Sequence, residues 1–379
     1  MQVWKTSAYC MYTKRFFLMM AVVLVQTLAM AQDKCLQLAD SIVKYQSKAG
    51  GWLKNQDWLE GCDCKALDLY RKKSIGATID NGATVSEMHH LVEAIDKLKE
   101  MEGLGFAGID TKALKKREMC YQASFAKALG YLLEMQYDNG GFPQFYPQKE
   151  KVDYSIDITF NDNAMVNALR MLRDVAKSDD ALKNAEVENS LREKCLRAYE
   201  RGVKCILDCQ IRVDSLGKVL EYGTEAWKLG KKTVWCQQHD RRTLAPVKAR
   251  AFELPSYCGN GETCGILTLL MDIDNPSEEV KDAVKSAVEW LESHAMRDVE
   301  KETFVNAEGK KDVRIVEKKG APLLWARFYD LVEGKPFFCG RDGVPRRDLS
   351  DVEYERRNGY SWVGNQPAKI IERYKDLNY

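Results

Sequence analysis

The sequence predicts an all-α protein, built as a toroid of helical hairpins. Three observations predict it. Apolar residues recur at helical spacing in segment after segment, and strand-like runs are short and scattered. A unit of helix end, glutamine, glycine-rich turn and aromatic also returns ninety residues after it first occurs.

Residues 1–31 are expected to lie outside the fold. Lys5, Lys14 and Arg15 make a basic start, and Phe16 to Ala31 is apolar apart from Gln26 and Thr27. Ala29-Met30-Ala31 is a small-x-small cleavage site. The apolar stretch is short for a membrane span. It reads as a secretory signal peptide, leaving no membrane span after cleavage and placing the protein in the periplasm or outside the cell. Cys35 lies four residues past the cut, so it is not a lipoprotein cysteine. The mature chain, 32–379, has no Pro/Ser/Gly linker and no low-complexity stretch. A single domain acting as a monomer is expected.

The mature chain carries 54 basic against 56 acidic residues, a net of −2. That balance has no nucleic-acid footprint, so a polyanion could be held only in a local basic cleft. Eleven cysteines remain after cleavage, an odd number that leaves a thiol unpaired. Cys62 and Cys64 are too close for an ordinary mutual bridge, and the absence of a CxxC pair argues against zinc. No disulfide connectivity follows from the spacing.

The helical stripes run in order. Thr84 to Met101 places Met88, Leu91, Val92, Ile95 and Leu98 on one face. Ala123 to Tyr137, Asp162 to Ala176, Leu191 to Cys209, Glu262 to Ile273 and Glu279 to Met296 read the same way. Pro322 before LLWARFYDL suggests one more helix, with Arg327 inside it. The repeat unit is Tyr45-Gln46 before Gly50-Gly51-Trp52, then Met135-Gln136 before Gly140-Gly141-Phe142. Cys209-Gln210 closes a third helix before a different loop. Two unrelated glycine C-caps would give part of the same pattern.

Four clusters carry chemistry. In TIDNGATVSE, Thr84 and Glu87 fit a capping box, which competes with a ligand role for Glu87. Asp80 and Asn81 lie before the cap, in a turn, and offer the oxygen donors that calcium takes. In FNDNAM, Asp162 or Asn161 could cap the helix that begins at Asn163. The same Asp-Asn pairing at two helix mouths would make a carboxylate site if the mouths face. KARAFELPS puts Arg250 and Glu253 in a loop, with Gln237, Gln238, His239 and Asp240 just upstream. Arg327 and Arg341 offer the planar fork that matches carboxylates. Near the end, Arg357, Tyr360 and Trp362 could line a sugar subsite.

The ordered set GGWLKNQDW, TIDNGAT, GGFPQFYP, FNDNAM, ARAFELPS and GYSW resembles the pectate lyases of polysaccharide lyase family 10, over nearly the whole mature chain. The resemblance implies an (α/α)₃ toroid, an incomplete α/α barrel with short β segments and long loops lining a wide cleft. It implies a single catalytic domain, a Ca2+ cofactor and β-elimination of polygalacturonate. Residue by residue, it implies Arg250 as the base, Asp80 and Asp162 as calcium carboxylates, and Arg327 and Arg341 as clamps on substrate carboxylates. Asp240, Tyr360 and Trp362 are expected to touch substrate, with Asn81, Glu87, Asn163 and Glu253 behind them. One physical objection stands: arginine is ordinarily always protonated. It could act as a base only if nearby cations outweigh Glu253.

Two rival readings remain at this point. A glycoside hydrolase on the same toroid could use Asp80 with Asp162 or Asp240. A non-catalytic binder of acidic glycans would keep the arginines and aromatics with no need for Arg250.

Overall fold

The computed structural model describes residues 34–61, 76–103, 111–148 and 153–377. The expected signal peptide, Cys62 and Cys64 lie outside the described residues. Helices dominate: α1 over 34–45, α2 Val85–Gly103, α3 Thr111–Met135, α4 Ala164–Lys177, α5 Asn189–Cys209, the short α6 Glu225–Leu229, α7 Gly261–Met271, α8 Glu278–Ser293, the short α9 Tyr354–Asn358 and α10 Gln366–Lys375. Among the described residues no helix is long and apolar enough to cross a membrane. All nine described cysteines are free, seven of them buried.

The helices pair as hairpins, α2 along α3, α4 along α5 and α7 along α8, with α10 packed on the last pair. The stripe read in α2 is the buried face, from Met88 through Leu98. α3 starts twelve residues before its expected start, because Lys112, Lys115, Lys116 and Arg117 hide the period of its first turns.

The repeat is structural, and the two-cap alternative fails. Gln46 Nε2 donates to Gly50 O at 2.8 Å and to Ser124 O of α3 at 2.9 Å. Gln136 Nε2 donates to Gly140 O at 3.0 Å and to Ala198 O of α5 at 2.8 Å. Gln210 Nε2 donates to Thr233 O at 2.8 Å and to Ala283 O of α8 at 2.9 Å. Each glutamine closes one outer helix and ties it to the next. Trp52, Trp235 and Trp325 then donate their indole N–H back to Ile42 O, Ile206 O and Leu291 O near the ends of α1, α5 and α8. The outer helices α1, α3, α5 and α8 are thereby tied in succession, with α2, α4 and α7 packed side by side within them.

Two expectations fail. LLWARFYDL is not a helix: Trp325–Ala326 and Phe328–Tyr329 are two-residue strands in separate sheets. A short apolar run does not separate buried strand from helix, and its aromatics suit a pleated surface. Asp330 then accepts from the amides of Val332 and Glu333 and turns the chain. The strands are also not all short. Val299–Val305 and Lys311–Glu317 form a seven-residue antiparallel hairpin. A smaller core beside the toroid, including Phe252, Phe328, Phe338 and Trp362, backs the loops that carry Arg250, Arg327 and Arg341.

Candidate active site

Three equivalent junctions build one end of the toroid. Thr78 N donates to Trp52 O, Thr159 N to Phe142 O and Cys258 N to Trp235 O, at 3.0, 3.0 and 2.8 Å. Each strand then turns into an inner helix, through Asp80–Gly82, Asn161–Asn163 and Asn260. Asn81 and Asp162 occupy matching left-handed positions, with φ of 51° and 52°. Asn and Asp tolerate that conformation better than other residues with side chains. Asp80 therefore corresponds to Asn161, and Asn81 to Asp162. The first two turns pack against one another, so the two helix mouths do face.

Asp80 is buried. Its Oδ2 pairs with Lys54 Nζ, while its Oδ1 is buried with no hydrogen-bond partner. Asp162 is not a helix cap, since no side-chain cap bond starts α4. Its carboxylate is 39 % exposed and accepts from Asn161 Nδ2 at 2.8 Å. Burial pushes its pKa above the usual carboxylate value, and the charges of Asp80 and Glu262 add to this against Arg327.

Glu87 proves to be half of a capping box. Its Oε2 accepts from Thr84 N at 2.7 Å and its Oε1 from Trp58 Nε1 at 2.9 Å. Thr84 Oγ1 turns away, donating to Thr78 O and accepting from Trp52 N. Both Glu87 oxygens are thus engaged within the fold. Asn81 is exposed and donates to Asn55 Oδ1 at 3.1 Å.

The basic side of the site is a set of guanidinium groups around two rings. Arg250, Arg341 and Arg356 place Cζ 5.2, 5.9 and 4.4 Å from the Phe252 ring centroid. Arg327 and Arg356 lie 4.5 and 5.0 Å from that of Tyr360. Glu253, buried, takes Arg250 Nε at 2.7 Å and Nη2 at 2.5 Å, and accepts from Tyr360 Oη at 3.0 Å. Burial would lower the Arg250 pKa, but the bond and charge of Glu253 outweigh it and raise it. Arg327 Nη2 pairs with Glu262, donates to Asn161 Oδ1 at 2.9 Å and lies 3.9 Å from Asp162. Arg341 forms an exposed pair with Glu355, at 2.9 Å from Nε.

Two expected substrate contacts, Trp362 and Arg357, are engaged within the protein, and Asp240 forms a turn. Trp362 is buried in the smaller core, with its indole N–H on Arg356 O, so it cannot line a subsite. Arg357 pairs with the buried Asp312 at 2.7 Å, and its neighbour Arg356 faces the rings instead. Asp240 Oδ1 accepts from the amides of Arg242 and Thr243, which makes it a turn former.

Five residues escaped the sequence reading. Glu262 and Asn260 line a cavity of about 140 Å³ with Asp162, Asn163, Gly261, Arg327, Ser361 and Gln366. Glu262 follows the third helix mouth, a position that the repeat could have flagged. Lys54, Tyr154 and Arg356 carried no pattern that marks them. Tyr154 lies within electrostatic reach of Arg250, Glu253 and Asp80.

Among the described residues no three His, Cys, Asp or Glu side chains converge as a metal cage. The donors present still fit a hard cation. Glu262 Oε2, Asn163 Oδ1 and Asn260 Oδ1 are buried oxygens without partners on residues that line the cavity with Asp162, and Asp80 Oδ1 is another, in the turn packed against that of Asp162. A cation held by two or three carboxylates completes its shell with carbonyls, water or ligand oxygens.

The pectic acid lyase family model matches residues 109–371, well over half of the chain. The chain belongs to the pectic acid lyases. Two solved structures of the family 10 polysaccharide lyase from Cellvibrio cellulosa agree, each at 31% identity and a TM-score of 0.69. One covers 93% of this chain and 96% of its own. The other, a point mutant in complex with trigalacturonic acid, covers 91% and 93%. No curated protein matches the chain. This pectate lyase carries Asp162, Arg250, Arg327, Arg341 and Tyr360 inside the family match, while Lys54 and Asp80 precede it.

Proposed function

We propose that this enzyme cleaves α-1,4-polygalacturonate by anti β-elimination, with calcium as cofactor, releasing 4,5-unsaturated oligogalacturonates outside the cytoplasm. The observation that carries the reading is the convergence of Arg250, Arg327, Arg341 and Arg356 on Phe252 and Tyr360, beside the facing Asp80 and Asp162 turns. A row of cations beside open carboxylates suits a polyanion held through its carboxylates, and a neutral glycan needs no such row. The related structure in complex with trigalacturonic acid supports the same substrate class.

The chemistry follows from charge. The proton at carbon 5 is weakly acidic while the adjacent carboxylate keeps its charge. Calcium held by Asp80 and Asp162 would neutralise that carboxylate and stabilise the enolate-like charge that develops. Arg341 sits in an exposed, solvent-screened pair and can exchange Glu355 for a uronate at little cost. Arg327 is held rigidly by Glu262 and Asn161, so it fixes one uronate in register. In this reading Arg250 takes the proton. Its side chain is 41 % exposed, and Nη1 makes no hydrogen bond among the described residues. Glu253 opposes its deprotonation, whereas Arg327, Arg341, Arg356 and the cation favour it. The glycosidic oxygen at carbon 4 then departs.

Purified protein incubated with polygalacturonate, with calcium and then with excess chelator, tests the reading by ultraviolet absorbance. Calcium-dependent growth of absorbance from unsaturated uronides is expected. New reducing ends without absorbance would make the enzyme a hydrolase instead, and neither signal would leave a binder.

A further inference from the structure

We propose that Lys54 is the built-in counter-ion of the Asp80 site, and that the Lys54 ammonium and calcium occupy Asp80 in turn. This rests on the reading of Asp80 as a calcium carboxylate.

Lys54 Nζ contacts Asp80 Oδ2, and the carboxylate is only 3 % exposed. The other oxygen, Oδ1, is buried with no partner. One half of the carboxylate is thus neutralised by the chain and the other half is left for something else. Asp80 and Asp162 lie close enough for their charges to interact, so without a cation two like charges face each other. Lys54 answers that repulsion in the cation-free enzyme. A divalent ion on Asp80 would put positive charge beside the ammonium, and the two repel.

The lysine can leave without disturbing the fold. Gln56 Nε2 holds the Lys54 carbonyl at 3.0 Å, and the Asn81–Asn55 bond at 3.1 Å pins the adjacent residue to the Asp80 turn. The side chain itself is 37 % exposed on a flexible four-carbon stem. Displacement is therefore a side-chain swing, with the backbone fixed.

Calorimetric titration of calcium chloride alone, without substrate, into wild type, Lys54→Met and Asp80→Asn tests the inference. Circular dichroism checks that each variant is folded, and Lys54→Gln replaces Lys54→Met if the latter is not. Removing the competitor should tighten calcium binding by about fivefold or more, the size of one weakened charge pair. Asp80→Asn should weaken or abolish it. Unchanged or weaker binding in the lysine variant, with Asp80→Asn still impaired, overturns the role of Lys54 and leaves Asp80 as a ligand. Wild-type affinity in Asp80→Asn, or no calcium binding by the wild type, overturns the Asp80 reading and the inference with it.

Discussion

Arg250 and Glu253 set the problem at the scale of the residue. The base that family resemblance implies is an arginine, and Glu253 holds it charged through two side-chain bonds and through its own buried charge. If Arg250 takes the proton, two variants should diverge. Arg250→Ala should lose turnover by a factor of about 100 or more, the scale of a removed general base, with an unchanged circular dichroism spectrum. Substantial remaining lyase rate would remove Arg250 from that role. Glu253→Gln keeps the shape of the contact but removes the charge that raises the Arg250 pKa. The rising limb of kcat/KM against pH should then move to lower pH, because less alkali is needed to free the guanidine. A limb that stays in place would mean that it reports a different group. That Asp80 and Asp162 stand at turns and that Arg250 lies beside Glu253 was legible because turn residues and an Arg-Glu loop are local patterns, whereas their roles came only with the family resemblance. Lys54 and Arg356 were not legible, since their roles come from contacts that no spacing announces.

At the scale of the element, the repeat explains why certain glycines cannot be replaced. Gly50 and Gly140 follow Gln46 and Gln136 by four residues and both have positive φ, at 115° and 88°. A Cβ on Gly50 would lie 2.5 Å from Lys127 O, and one on Gly140 would lie 2.1 Å from Arg201 O. The turn must press against the backbone of the next outer helix for its glutamine to bridge the two. Gly140→Ala should therefore lose roughly 3 kcal/mol or more, from strained backbone and steric overlap together. Gly130 lies inside α3 with nothing within 4 Å of its missing Cβ. Gly130→Ala should instead gain roughly 0.5–1 kcal/mol from helix propensity. Urea unfolding midpoints of opposite sign would establish the contrast, and equal midpoints would refute the packing argument. The sequence revealed this unit because helix, glutamine and Gly-Gly-aromatic are adjacent in the chain. Of the third copy it showed only the start, Cys209-Gln210, since the turn after Gln210 is replaced by the longer excursion through α6 before Trp235. The strands around Arg327 were hidden for a different reason. Their partners, Val363–Gly364 and Pro336–Cys339, lie further along the chain, so no local period records them.

For the whole molecule, the large core buries polar groups that must find their partners inside the protein, and this makes stability depend on pH. His239 sits within a polar run in the sequence, yet it is fully buried. Its Nε2 accepts from Cys236 N at 3.0 Å, which requires an unprotonated nitrogen, and Nδ1–H donates to Leu244 O at 2.7 Å. The fold thus selects one neutral tautomer, and burial lowers its pKa from 6.5 to about 4. Above pH 6.5 neither folded nor unfolded His239 carries the proton. Between 6.5 and 4 the unfolded chain binds it and the folded chain does not, so stability falls as pH falls. At 1.36 kcal/mol per unit, His239 alone should remove about 2 kcal/mol by pH 5. Asp157 and Asp162 have raised pKa values and act in the opposite sense, so the total slope mixes signs. The difference between wild type and His239→Gln isolates the histidine. The variant should be less stable at pH 7.5, and the gap should narrow as the pH drops to 5. Parallel curves would mean that His239 titrates alike in both states, and that its burial does not hold it neutral.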